Sequence, residues 1–249
     1  MTAAAEAVLR VQAHDSHWVL TLNRPEKRNA LSAELVEQLL QTLDLARAQS
    51  VPLLVLQGEG SNFSAGFDFT AYEELSEGDL VLRFVRIETL LQALAYGPYA
   101  TLALAHGNNF GAGVDLIAAC RLRWAAPQSR FRMPGLKFGL ALGTRRLAEL
   151  VGESQAYGLL ESTRTFDADE AQRIGFLQGQ AGVDDWPARI EQTRADVLAL
   201  PAASRQWLQA LTRSGNPDGD MAALVRSAAE PGLKARIQAF RAESARKPA

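Results

Sequence analysis

Residues able to do chemistry gather in three short segments. The first is Gly107-Asn108-Asn109-Phe110-Gly111-Ala112-Gly113-Val114-Asp115, where glycines turn the chain into an apolar helix. Unpaired N–H groups at such a helix start, at the positive end of its dipole, attract anions and developing oxyanions. One acid, Asp115, sits in the otherwise apolar run Val114-Asp115-Leu116-Ile117-Ala118-Ala119-Cys120. Burying a carboxylate is costly without a partner. Asp115 is therefore either a first-turn acid favoured by the dipole or a group kept for proton transfer, and its spacing leaves both open. The second segment is Phe63-Ser64-Ala65-Gly66-Phe67-Asp68-Phe69, at the C-terminal edge of a predicted strand, where open α/β sheets bind ligands. Its small residues admit a ligand close to the backbone, with the Phe67 N–H as a donor, although glycines most often mark plain turns. The third, Asn23-Arg24-Pro25-Glu26-Lys27-Arg28-Asn29-Ala30-Leu31, sets two adjacent cations before a helix, as a phosphate site or a solvated loop.

The elements that must position these segments alternate. Val8–Gln12 and Trp18–Leu22 are predicted strands. Ser32 is an acceptable N-cap for an amphipathic helix that places Leu35, Leu39, Leu40 and Leu43 on one face. Val51–Leu56 and Tyr99–Ala105 are continuous apolar runs, the mark of buried strands, and Leu122–Ala126 is a further strand. A helix is predicted from about Asp79 to Ala95 and another from Ala112 to about Cys120. The order implies a largely parallel α/β core. Past residue 143 the pattern turns helical. Asp167-Ala168-Asp169-Glu170 has capping-box spacing, and from about Trp186 only helical periodicity and turn breakers remain. We expect a core over 1–185 and a helical region over 186–249.

Composition narrows the function classes. The chain has 249 residues, 26 Lys+Arg against 28 Asp+Glu, and a formal net charge of -2. No basic excess exists to neutralise phosphates, which disfavours nucleic-acid binding. One cysteine, Cys120, forbids an internal disulfide and suits a reducing compartment. No apolar run is long enough to span a bilayer, and Met1–Ala7 reads as a tail rather than a secretory signal, so the expected location is cytoplasmic. Three histidines (His14, His17, His106) and one cysteine show no ligand spacing, and no metal is expected.

Taken in order, these segments resemble the crotonase superfamily, the enoyl-CoA hydratase/isomerase family. Leu22-Asn23-Arg24-Pro25 with Asn29-Ala30-Leu31 resembles its opening motif, Phe63–Asp68 its first oxyanion segment, and Gly107–Asp115 with Ala118–Arg121 its glycine turn and active-site helix. Phe131–Pro134, Gly139-Leu140, Arg146-Leu147, Asp167–Ala171 and Ile174–Leu177 continue the match.

The resemblance implies an α/β fold, a crotonase-like spiral of ββα units with a helical C-terminal region, assembled as a homotrimer or dimer of trimers. It implies an acyl-CoA thioester as ligand, with coenzyme A as part of the substrate and no other cofactor. The thioester oxygen would be held by the backbone N–H groups of Phe67 and Ala112, with Asp115 as acid/base. Lys27 and Arg28 would meet the CoA phosphates. Ala30, Ala65, Asp68 and Phe69 would line the adenine and pantetheine path, with Gly111 among the substrate-binding positions. Hydratases of this family use two glutamates. The first falls on Asp115 and the second on Gly135, which cannot transfer a proton. One carboxylate still serves isomerisation, hydrolysis, decarboxylation or C–C cleavage. The alternative is an acyl-CoA-binding relative without hydratase activity. His106 is a candidate second group, though a histidine ending a buried strand is more often structural. Arg145, Arg146 and Glu88 are lesser candidates, and Glu88 reads as part of a solvated helix face.

Overall fold

The computed structural model describes residues 7–212 and 214–246, so the tail expected at Met1–Ala7 lies outside them but for its last residue. The chain opens with a hairpin, β1 (Leu9–His14) and β2 (His17–Leu22), and continues through α1 (Ala33–Ala48), β3 (Leu53–Gly58), α2 (Glu77–Tyr96) and β4 (Ala100–Ala105). Next come β5 (Asn108–Phe110), α3 (Ala112–Ala118), β6 (Leu122–Ala125), β7 (Arg130–Arg132), α4 (Thr144–Val151) and α5 (Glu153–Ser162). After β8 (Phe166–Asp167), α6 (Ala168–Arg173) and β9 (Gly179–Gln180), the chain ends in α7 (Trp186–Leu198), α8 (Ala202–Leu211), α9 (Pro217–Ala229) and α10 (Leu233–Arg246).

The main sheet has the order β1-β2-β3-β4-β6-β9 and is parallel apart from the β1 edge. β5, β7 and β8 form a smaller sheet. The α/β class expected from the sequence is the one observed. Continuous apolar runs arise because the sheet is buried on both faces. Along β3, Leu54 and Leu56 join the main core, while Leu53 and Val55 join a second cluster that includes Trp186. β4 alternates in the same way, with Ala103 and Ala105 on the first face and Leu102 and Leu104 on the second. Helix α7 covers that second face.

Local signals place the helix starts. The Ser32 hydroxyl accepts from Leu35 N at 3.2 Å and caps α1. Helix α2 begins two residues earlier than the sequence suggested, because Ser76 and Asp79 form a full capping box. Asp167 caps α6 through Glu170 N at 2.9 Å, but the expected box is not completed, because the Glu170 carboxylate pairs with Arg164 instead. The glycine turn Gly107–Gly111 holds the short strand β5. Its backbone runs alongside β7, with Asn108 opposite Arg130.

Helices α9 and α10 are integral to the core. Leu224, Ala228, Leu233 and Ile237 are buried in the main cluster. Helix α9 packs on α2, and α10 packs on α2 and on the turn at Gly135–Phe138. No helix among the described residues is long and apolar enough to cross a membrane.

Candidate active site

The three segments meet through backbone hydrogen bonds. Leu31 N donates to Gly66 O at 2.7 Å, Ala65 N to Arg28 O at 2.8 Å, and Phe110 N to Ser64 O at 3.2 Å. Asn29, in a left-handed conformation, locks the join. Its amide donates to Asn62 O and Glu59 O, both at 2.8 Å, and its own carbonyl accepts from the Ser64 hydroxyl. Gly66 lies against the glycine turn so closely that a Cβ would strike Phe110 O and stand 3.1 Å from Ala112 N. Only glycine permits that approach. It brings the Phe67 and Ala112 segments together, and neither N–H donates to an acceptor among the described residues. Ala112 opens α3, where an N–H has no intrahelical partner.

These residues line a cavity of about 340 Å³. Phe67, Ala112 and Asp115 share it with Arg28, Ala65, Phe69 and Gly111. Gly135, where the resemblance sets the second hydratase glutamate, lies in the same wall. Of the other sequence candidates, Lys27 is exposed beside the site, and Ala30 and Asp68 are buried outside the cavity wall. Asp68 braces the loop. It pairs with Arg24 at 2.8 Å and accepts from Thr70 N at 2.9 Å. Burial works to raise its pKa, but these bonds outweigh it and hold the carboxyl below the usual range.

Asp115 is 2 % exposed, and its Oδ1 has no hydrogen-bond partner. Burial raises its pKa well above the carboxylate norm; Arg146 opposes that shift and Glu88 adds to it. Gly143, with φ +65°, makes room for the carboxylate, because a Cβ there would fall on Asp115 Oδ1. The buried acid therefore depends on a left-handed glycine at the start of α4.

Glu88 corrects the sequence reading. It is 1 % exposed, not solvated, and its Oε1 accepts from Arg146 Nη2 at 3.0 Å and from Gln92 at 3.0 Å. The Glu88–Arg146 pair joins α2 to α4 close enough to act on Asp115 electrostatically. Arg145 points elsewhere, to Asp220 at 2.8 Å. His106 is not a second proton-transfer group beside Asp115. Its Nε2 meets Gly60 O at 2.8 Å, its ring packs edge-on to Trp186, and it lines a different cavity. Burial holds its pKa below the ordinary histidine value, and the Gly60 bond opposes that only in part.

Sequence reasoning missed several wall residues. Phe84 comes from α2, Met133 and Leu142 from the stretch after β7, and Phe240 and Ser244 from α10. Phe84, Phe240 and Ser244 lie far along the chain from the motifs and left no local signal, whereas Met133 lies within the quoted Phe131–Pro134 stretch and Leu142 two residues past Gly139-Leu140.

The fold and cavity define an α/β protein that buries one acid beside two unpaired backbone donors. The enoyl-CoA hydratase/isomerase family model matches residues 13–223, and the chain belongs to that family. A crystal structure from Bordetella parapertussis, assigned as an enoyl-CoA hydratase/isomerase, is 55% identical, with a TM-score of 0.94 over 98% of this chain and 100% of that one. A Mycobacterium tuberculosis protein assigned as an enoyl-CoA hydratase is 35% identical over 210 residues, covering 81% of this chain and 79% of that protein. Mouse ethylmalonyl-CoA decarboxylase is 29% identical, covering 79% of this chain and 62% of that protein.

Proposed function

We propose that the protein is an acyl-CoA-processing enzyme that stabilises a thioester enolate with the Phe67 and Ala112 N–H groups and moves protons with Asp115 alone. The observation that carries this reading is a buried carboxyl with a free oxygen in one cavity with two free backbone donors. Preorganised main-chain dipoles stabilise charge that develops on the thioester oxygen. Exposed Lys27 and Arg28, beside the mouth, suit the CoA phosphates. Oligomer formation as a homotrimer or dimer of trimers, and a cytoplasmic location, belong to the same reading.

The chemistry of Asp115 follows from its environment. Burial shifts Asp115 toward its protonated form, the form that can give a proton to a carbanion. In hydration, water oxygen bonds to the β-carbon, the double-bond electrons pass into the thioester enolate, and Asp115 protonates the α-carbon. That step also requires a base for the water, and Gly135 offers none. Gly135 thus favours a second reading within the same site. In decarboxylation the C–C bond to the departing CO2 breaks, its electrons form the enolate, and Asp115 protonates the α-carbon before regaining a proton from solvent. A decarboxylase among the relatives supports this alternative.

The test is purified protein against crotonyl-CoA, longer enoyl-CoAs and α-carboxylated acyl-CoAs, with Asp115→Asn in parallel. Turnover of at least one class is expected, with a loss of about 100-fold or more in the variant. Tight ester binding with no turnover of any class would instead identify a binding protein.

A further inference from the structure

Helix α2 carries the adjacent pair Arg83 and Phe84, and both reach the Phe67 segment. Phe84 is buried, and its ring stacks on that of Phe67 with centroids 4.4 Å apart. The Arg83 guanidinium lies over the same Phe67 ring, 4.4 Å from its centroid. Its fork then spans two backbone carbonyls. Nη1 donates to Asp68 O at 3.1 Å and Nη2 to Leu31 O at 3.3 Å. A planar guanidinium can serve two acceptors in fixed geometry, whereas an ammonium is a single point charge. Arg83 is half-buried and stands outside the cavity wall.

The two carbonyls belong to the backbone that orients the first donor. Leu31 and Phe67 form a parallel bridge, in which Leu31 N donates to Gly66 O at 2.7 Å and Asp68 N to Leu31 O at 3.3 Å. In a trans peptide the N–H points opposite to the C=O. Fixing Gly66 O on Leu31 therefore turns the Phe67 N–H away from Leu31. The Asp68 N bond is the longer of the two, so Leu31 and Asp68 are held together largely by the Arg83 fork that joins their carbonyls.

We infer that Arg83 is a positioning residue: it clamps the Leu31–Phe67 bridge and thereby aims the Phe67 N–H at the thioester oxygen. This rests on the oxyanion reading above. A backbone donor stabilises developing charge only while it is held toward it in advance. Arg83 acts through Phe67, so its loss slows the reaction without loosening the ester.

The experiment reads the carbonyl stretch of bound butyryl-CoA, labelled with carbon-13 at the thioester carbon, by difference infrared spectroscopy. The rate of α-proton exchange in heavy water is measured alongside. The proteins are the wild type, Arg83→Met, Arg83→Lys and Arg86→Gln. Arg86 lies on the same helix and pairs with Glu37 at 2.6 Å, so its variant controls for the loss of a cation from α2. A carbonyl that accepts hydrogen bonds vibrates at lower frequency, and the wild type is expected to show that downshift. Arg83→Met is expected to lose most of it and to exchange about tenfold more slowly. Its affinity for butyryl-CoA is expected to stay within about twofold. Arg83→Lys reaches one carbonyl and is expected to fall between, which keeps the test open if Arg83→Met does not fold. Arg86→Gln is expected to keep the full downshift. A full downshift in either Arg83 variant overturns the inference alone, as does equal loss in Arg86→Gln. Loss of ester binding in a folded Arg83→Met also overturns it, because Arg83 would then hold the ester rather than the donor. A wild type that binds the ester with no downshift overturns the oxyanion reading together with this inference.

Discussion

Asp115→Asn separates stability from chemistry. The folded protein raises the Asp115 pKa, chiefly by burial, whereas the unfolded chain returns it to about 4. Between that value and the folded pKa the native state holds the extra proton, so stability falls as pH rises through this window. Asparagine is neutral throughout and removes the slope. Thermal melts across pH 4 to 9 are expected to show the variant equal to the wild type at the acid end and higher in Tm above neutrality, while turnover falls. A variant destabilised at every pH would contradict the neutral, buried acid. At this scale the sequence was informative: a lone acid in an apolar helix announced itself. The Gly143 pocket that receives it did not, because a left-handed glycine is also what an ordinary helix start shows.

Elements hold the site by pairing across long separations. Glu88 on α2 and Arg146 on α4 form a buried ion pair 58 residues apart in the chain. Periodicity places Glu88 beside Ile87 and Leu91 but cannot report a partner that far away, and so it suggested a solvated face. Removing one member strands a buried charge. Glu88→Ala is expected to cost about 3–5 kcal/mol in denaturant unfolding, and Glu88→Leu combined with Arg146→Met to cost less than either single change. If Glu88→Ala is neutral, the pair does not brace the two helices. Strand β3 and helix α1 were legible because their apolar runs exceed one period. Strands β5, β7, β8 and β9 were not, because two or three residues show no period at all.

Across the whole molecule, the C-terminal helices complete both the core and the cavity. Trp186 on α7 packs on the second face of the sheet, and Phe240 on α10 stands in the cavity wall with its ring 5.2 Å from that of Phe138. The sequence showed these segments to be helical. It could not show where they dock, because docking is set by surfaces formed from distant strands. Phe240→Ala is expected to weaken acyl-CoA binding by about tenfold, which titration calorimetry reads directly. Unchanged affinity would mean that α10 covers the core without contributing to the ligand site.

The central claim is that one buried acid moves a proton at the α-carbon of a thioester held by two backbone donors. Deuterium exchange at the α-carbon of butyryl-CoA in heavy water tests it most directly, because there the ionised form of Asp115 takes the α-proton, the C–H electrons pass into the enolate, and the acid returns a deuteron taken from solvent. The wild type is expected to incorporate deuterium, and Asp115→Asn to bind the ester and incorporate about 100-fold more slowly or worse. Exchange at equal rates in both proteins, or no exchange in a wild type saturated with ester, would contradict the account.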